Sequence, residues 1–402
     1  MLGENKLNRS KIIILVEMGV MALLMMIFVL HTTSDETKTN QMGSSKVNTT
    51  FVEKLASDPK TENYETSDVE TVREESEEES EENTTDKNKY IKWVDFDVSY
   101  QALTDAYNYD VKTYESDVHV NWIELLAYLA VKNGGDFKKY RSAQMADLVK
   151  ALTEKKETIE SLTKDMKYYK YYYDCYNAIL GGFVGEYEVE NLKDGSDPQI
   201  TWEKTYGLKA FLPLAKNFPY SDFDDFGVSR SYGYKRRHLG HDMMGQVGTP
   251  VIAVESGYVE AIGWNQYGGW RIGIRSFDKK RYYYYAHLRK NYPFCTDLKE
   301  GSIVTAGDVI GYMGRTGYSK KENTNNIETS HLHFGMQIIF DESQKDGNGE
   351  IWINCYNIIR FLYQNRSETV KVTDSKEWKR IYDLKDPAEE QYRNSQKNVT
   401  KQ

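Results

Sequence analysis

Two short stretches hold the side chains best suited to chemistry: Arg236-Arg237-His238-Leu239-Gly240-His241-Asp242 and His331-Leu332-His333. The chain has seven histidines, and five of them fall between His238 and His333, one being His287 in Tyr285-Ala286-His287-Leu288. So scarce a residue, gathered where glycines and β-type sequence also gather, marks a site rather than scattered surface histidines. A His-x3-Asp pair followed by His-x-His offers imidazole and carboxylate ligands of the hardness that zinc prefers. On a strand, His331 and His333 point to one side of the sheet while Leu332 and Phe334 point to the other. One of the two histidines can then bind a metal while its neighbour leans over a bound water.

Strands must position these residues, and the sequence after about Trp202 supplies them. Short β runs are expected at Pro250–Val254, Gly257–Ile262, Trp270–Ile274, Arg281–Tyr285, Val309–Met313 and Leu332–Ile339. Turns such as Ser256-Gly257 and Tyr267-Gly268-Gly269 separate them. An antiparallel all-β domain over residues 200–363 follows. Residues 364–402 read as a polar C-terminal tail with weak helical hints.

Upstream, residues 91–190 read as an all-α domain of about four helices. Trp122, Leu125, Leu126 and Leu129 recur on one face, and Asn133-Gly134-Gly135-Asp136 ends that helix. Met145, Leu148, Val149 and Leu152 mark the next. A further helix through Met166, Tyr169, Tyr173 and Ile179 stops at Gly181-Gly182. Its tyrosine clusters read as packing between the bundle and the next domain, with a sugar- or peptide-binding groove as the alternative. His119 stands alone and carries no chemistry.

Several motifs then fall in one order: Phe226-Gly227-Val228-Ser229-Arg230, His238-x-Gly240-x-Asp242, Gly248-Thr249-Pro250-Val251, Ser256-Gly257-Tyr258-Val259 and Tyr285-Ala286-His287-Leu288. They continue with Gly301-x2-Val304-x2-Gly307-Asp308-Val309-Ile310-Gly311, Gly314-Arg315-Thr316-Gly317 and His331-Leu332-His333-Phe334. Over about residues 208–360 this series resembles the LytM/lysostaphin-type zinc metallopeptidases, family M23. The resemblance implies a zinc site built on a β-sheet, and the sequence has no His-Glu-x-x-His helix motif. It implies Zn2+ held by His238, Asp242 and His333, with His287 and His331 as the catalytic histidines. His241 stays outside the ligand set, and Arg230 takes a supporting or substrate-positioning role. The implied substrate is the cross-bridge or stem peptide of bacterial peptidoglycan, and the implied activity is that of a zinc metalloendopeptidase. A non-hydrolytic LytM-fold scaffold or wall-binding protein, working with cell-wall assembly proteins, is the competing reading. So is a binding function seated in the helical domain. One departure from the family is the polar stretch Tyr318–Ser330, which either roofs the groove or lies on the surface.

The remaining sequence concerns placement. Ile12 to Leu30 is an apolar run interrupted by Glu17, long enough for a transmembrane helix. Lys6, Arg9 and Lys11 precede it within the cytoplasmic N-terminus expected at residues 1–11, and Asp35 and Glu36 follow it. The positive-inside bias puts the rest of the chain outside the cytoplasmic membrane. A cleaved signal peptide is the alternative, against which the run ends without a small-x-small pattern. Residues 31–90 read as a disordered acidic linker. They hold 16 acidic and 7 basic side chains, which accounts for the whole formal charge of -9. The near-neutral remainder argues against a nucleic-acid partner. Cys175, Cys295 and Cys355 are too few for a disulfide scaffold and include no Cys-x2-Cys pair, although Cys295 and Cys355 could pair in an oxidising compartment.

Overall fold

The computed structural model describes residues 90–191, 201–231, 235–347 and 349–399, all within one compact unit. The apolar run 12–30 and the acidic residues 31–89 lie outside the described residues. Among the described residues no helix is long and apolar enough to cross a membrane.

Helices come first. α1 (Tyr100–Thr113) starts at Ser99, whose side chain accepts from the Ala102 amide. α2 (Trp122–Asn133) starts at Asn121, whose side chain accepts from Ile123 and Glu124, and it ends on Gly134 at φ 63. That left-handed cap is the conformation glycine adopts without steric penalty. α3 (Ser142–Thr153) buries Met145, Leu148, Val149 and Leu152, the expected stripe. The short α4 (Ile159–Thr163) precedes α5 (Tyr169–Leu180), which buries Tyr172, Cys175, Tyr176, Ile179 and Leu180. The fully buried carboxylate of Asp110 ties the bundle together. It accepts from Tyr206 (2.7 Å) and the Trp122 amide (2.8 Å), and it meets His119 Nε2 at 2.8 Å.

The first β element departs from expectation. β1 (Val184–Asn191) and β2 (Thr201–Leu208) pair antiparallel directly after α5. The chain then lays down β3 (Tyr220–Ser221), β4 (Ser229–Ser231), β5 (Lys235–Arg237), β6 (His241–Gly245), β7 (Pro250–Ile252), β8 (Gly257–Asn265), β9 (Gly269–Ser276) and β10 (Arg281–Ala286). β11 (Ile303–Val304), β12 (Val309–Tyr312), β13 (His331–Ile338) and β14 (Ile351–Trp352) complete the main part. The large sheet has the order β11-β8-β9-β10-β13-β6-β3, with β14 also on β13, and its pairings are antiparallel. β12 pairs with β7 and β4 with β5. One sheet face is apolar: Ile272, Ile274, Tyr283, Tyr285, Leu332, Phe334, Met336 and Ile338 are all buried. The alternate residues, including His331 and His333, occupy the other face.

The helices, expected at 91–190, and the sheet, expected at 200–363, share one hydrophobic core. Their contact is visible at α5. Arg281 on β10 is buried and donates to the Ala178 carbonyl at the end of α5 (2.7 Å) and to the buried Glu255 (2.7 and 3.1 Å). Gly182 makes this approach possible, because a Cβ there would stand 1.7 Å from Glu255 Oε1. Arg281 also pairs with Asp278 at 2.8 Å, so it is removal of Arg281 that would leave the buried Glu255 without a counter-charge, a cost of about 3–5 kcal/mol. α6 (Tyr356–Leu362) continues the seam, with Phe361 against Tyr107 and Trp122.

Residues 364–402, expected as a polar tail, also carry ordered elements as far as they are described. β15 (Thr369–Lys371) and β16 (Trp378–Arg380) form a hairpin, β17 (Leu384–Lys385) joins β1, and α7 (Pro387–Val399) follows. Polar anchors hold this segment. Lys209 pairs with Asp386 at 2.8 Å, Arg380 donates to the Ala306 carbonyl at 2.9 Å, and Glu377 accepts from Thr296 and Tyr312. Cys175, Cys295 and Cys355 are free thiols.

Candidate metal centre and catalytic cleft

Strand register brings the two histidine stretches together. β13 pairs with β6 so that His333 lies opposite Asp242 and His331 opposite Met244. His238 sits just before β6, with its amide bonded to the Val228 carbonyl. Three side-chain atoms then form a triangle. His238 Nε2 is 3.0 Å from Asp242 Oδ1 and 2.9 Å from His333 Nδ1, and His333 Nδ1 is 3.0 Å from Asp242 Oδ1.

The hydrogen bonds around the triangle decide what it suits. His238 Nδ1 faces the Asp225 carbonyl at 3.0 Å and so carries the hydrogen, which leaves Nε2 with a lone pair aimed at a carboxylate oxygen and a second imidazole nitrogen. Convergent lone pairs repel unless a cation lies among them. Two atoms on a tetrahedral centre with bonds of about 2.0–2.1 Å stand about 3.3 Å apart, close to the observed edges. The set fits a zinc ion in chemistry and in spacing.

Electrostatics point the same way. Burial works against a charge on His238, but the carboxylates of Asp225 and Asp242 outweigh it and lift the imidazole to about 9. Those carboxylates would favour a metal at Nε2 as they favour a proton. Burial also opposes the charge on Asp242, yet its bonds to His238 and His333 hold the carboxyl well below the usual range. His333 is pushed down, chiefly by burial, which keeps the imidazole neutral as a metal ligand requires.

Two further histidines line the same cleft of about 230 Å³. His287 and His331 face each other with ring centroids 4.8 Å apart, and His287 lies 5.8 Å from His333. His287 Nδ1 donates to the Thr316 carbonyl (2.9 Å) and His331 Nδ1 to the Thr329 carbonyl (2.8 Å). Both rings therefore keep Nε2 as the basic nitrogen, and that of His331 is 3.7 Å from Asp242 Oδ1. Burial, reinforced by His331 and His333, holds His287 well below the ordinary histidine value. Its backbone is left-handed at φ 62, uncommon for a residue with a Cβ.

Every residue picked out from the sequence can now be placed. His238, Asp242, His287, His331 and His333 meet at one cleft. His241 does not join them: it is buried and turned to Asp222 at 2.8 Å. Arg230 donates to Asp242 Oδ2 (3.1 Å) and Asp225 Oδ2 (2.6 Å), bracing the carboxylate from behind. Asp225, buried beneath His238, escaped the sequence reading because it belongs to no spaced motif. The carbonyls of Thr316 and Thr329 escaped because backbone acceptors leave no trace in residue type, although the glycines flanking Thr316 hint at close approach. Of the polar stretch 318–330, Tyr318 reaches the cleft, with its ring 5.8 Å from His287 and its hydroxyl bonded to Arg236. Thr329 reaches His331 through its carbonyl, while Asn323 is fastened aside, accepting from Trp270 Nε1 (3.0 Å) and from the Asn291 amide (2.8 Å).

Comparison with known proteins agrees with this geometry. Residues 236–347 match the model of peptidase family M23. The L-Ala–D-Glu endopeptidase of Bacillus subtilis is 41% identical over 130 residues, 32% of this chain and 38% of the relative. Lysostaphin of Staphylococcus simulans is 39% identical over 102 residues, 25% of this chain and 18% of the relative. The chain thus spans well under two thirds of either relative's length. A solved LytM structure from Ruminococcus gnavus covers 71% of this chain and 95% of its own, at 23% identity and a TM-score of 0.44. Residues 236–347 are a peptidase family M23 domain of the LytM and lysostaphin kind.

Proposed function

We propose that this chain is a zinc-dependent endopeptidase that hydrolyses peptide bonds in the cross-links or stem peptides of bacterial peptidoglycan. The observation that carries the proposal is the triangle of His238 Nε2, Asp242 Oδ1 and His333 Nδ1 beside two histidines whose Nε2 atoms are free to handle protons. Zinc bound by the three residues supplies a Lewis acid and lowers the pKa of a water toward about 7. The chain's own groups do the rest. Arg230 and Asp225 hold Asp242 and His238 in place. His287 and His331, each with its tautomer set by a carbonyl, take up a proton at Nε2 and return it to the leaving amine, or donate to the developing oxyanion.

The substrate class is supported by the relatives, one named for an L-Ala–D-Glu bond and one named lysostaphin. We take residues 12–30 as a retained membrane anchor and residues 31–90 as a spacer that sets the catalytic part outside the cytoplasmic membrane, where that polymer lies. Digestion of purified sacculi of several cross-link types, with mass analysis of the released fragments, tests the proposal. New amino termini from at least one type are expected, and the fragments name the bond. Release from none, by protein that holds zinc and binds wall, would turn the reading to a non-hydrolytic scaffold.

A further inference from the structure

We infer that Arg271 selects substrates carrying a carboxylate within a few residues of the attacked bond. The inference rests on the reading above that the groove beside His333 receives a wall peptide. On the open face of the sheet, His333 pairs with Asp242 on one side and Ala286 on the other. β10 pairs with β9 at Tyr285 and Ile272, and one step further in that register sets Ala286 beside Arg271, which itself pairs with Gly263. Arg271 thus shares a transverse row with two residues of the metal triangle, two strands from His333, or roughly 10 Å.

Arg271 and His333 line one groove of about 610 Å³, together with Tyr284 and Trp352. Among the described residues Arg271 makes no ion pair, and its Nη1 is buried with no acceptor. A buried donor left unmade costs about 1–3 kcal/mol. The neighbouring charges make the end of the groove near His333 cationic, since Arg236 and Arg237 also border it. The acidic groups, Asp346 and Glu350, are accompanied by Lys345, and Glu350 accepts from Trp352 Nε1 at 2.6 Å. Lys345 is itself paired with Glu260 at 3.1 Å.

A carboxylate is the anion a peptide can offer, and a guanidinium meets it with two parallel hydrogen bonds. An extended peptide advances at most about 3.3–3.6 Å per residue, so with the reach of the arginine side chain the carboxylate falls a few residues from the metal triangle. A bridge of glycine alone brings no such group. Arg271 therefore biases the site toward acidic stem peptides and away from neutral bridges.

The test is calorimetric and independent of cleavage. Blocked L-Ala–D-Glu–L-Lys–D-Ala and its D-Gln counterpart are titrated into the full zinc-loaded chain and into Arg271→Gln and Arg271→Lys, each carrying His287→Asn so that no bond is cut during the titration. The chain with Arg271 intact is expected to bind the Glu peptide at least about tenfold more tightly, about 1.4 kcal/mol. Arg271→Gln should bring the ratio to about one while zinc content stays unchanged, and Arg271→Lys should retain part of it. A ratio near one with Arg271 intact, a ratio that survives in Arg271→Gln, or no binding of either peptide at millimolar concentration would overturn the inference. The expected ratio, where the wild-type chain cuts no sacculus, would leave this inference standing and refute the peptidase reading alone.

Discussion

Gly240 lies so close to His333 that a Cβ on it would stand 2.5 Å from Cε1 and 2.6 Å from Nε2 of the imidazole. The glycine between His238 and Asp242 thus gives the third member of the triangle its room. A residue two positions from each of the other two sets the orientation of a ring on another strand.

Gly240→Ala should therefore displace His333 and lower zinc affinity by at least about tenfold, with the fold retained. Competition with a chromophoric chelator measures the affinity, and circular dichroism monitors the fold. Wild-type affinity in a folded Gly240→Ala protein would show that His333 tolerates movement.

His287 and His331 are expected to act on protons and not on the metal. Replacing either by Ala should lower turnover on sacculi by about 10²–10⁴-fold with the zinc content unchanged. His287→Asn is the safer variant at the left-handed position, because Asn tolerates φ 62 better than Ala. Loss of zinc along with activity would mean that these rings hold the metal site together and do not serve the reaction.

Glu377 gives a pH-dependent stability. Burial opposes its charge, yet donors from Tyr292, Thr296 and Tyr312 hold the carboxyl below the usual glutamate range. With the folded value below the unfolded one, the ionised group stabilises the fold above pH of about 4.3, and this contribution fades as pH falls through the depressed value. Wild type should melt above Glu377→Gln at pH 7, with the gap narrowing on acidification toward about 3. A gap that stays constant across that range would remove the linkage.

The elements legible in the sequence were those whose pattern is local. The stripe Met145, Leu148, Val149 and Leu152 and the alternation of Leu332-His333-Phe334 each declare a buried face within a few residues. The β1–β2 hairpin was not read, although Glu186-Tyr187-Glu188-Val189-Glu190 alternates polar and apolar residues, because the run follows a helix directly. β6 was missed because His241-Asp242-Met243-Met244-Gly245 lacks β-branched residues, and pairing with β13 makes it a strand. The last residues look like a tail because long-range polar contacts hold them, such as Lys209 to Asp386, and such contacts have no period. At the site, the five residues that the cleft gathers were visible from type and spacing. The groups that orient them, Asp225 and the carbonyls of Thr316 and Thr329, come from tertiary approach alone.

Everything proposed for the cleft depends on one zinc ion at His238, Asp242 and His333. Metal analysis of the purified chain after mild dialysis measures this directly, with His333→Ala prepared in parallel. The expected result is about one zinc per wild-type chain and close to none in the variant. A wild-type content near zero, or equal contents in the two proteins, would contradict it.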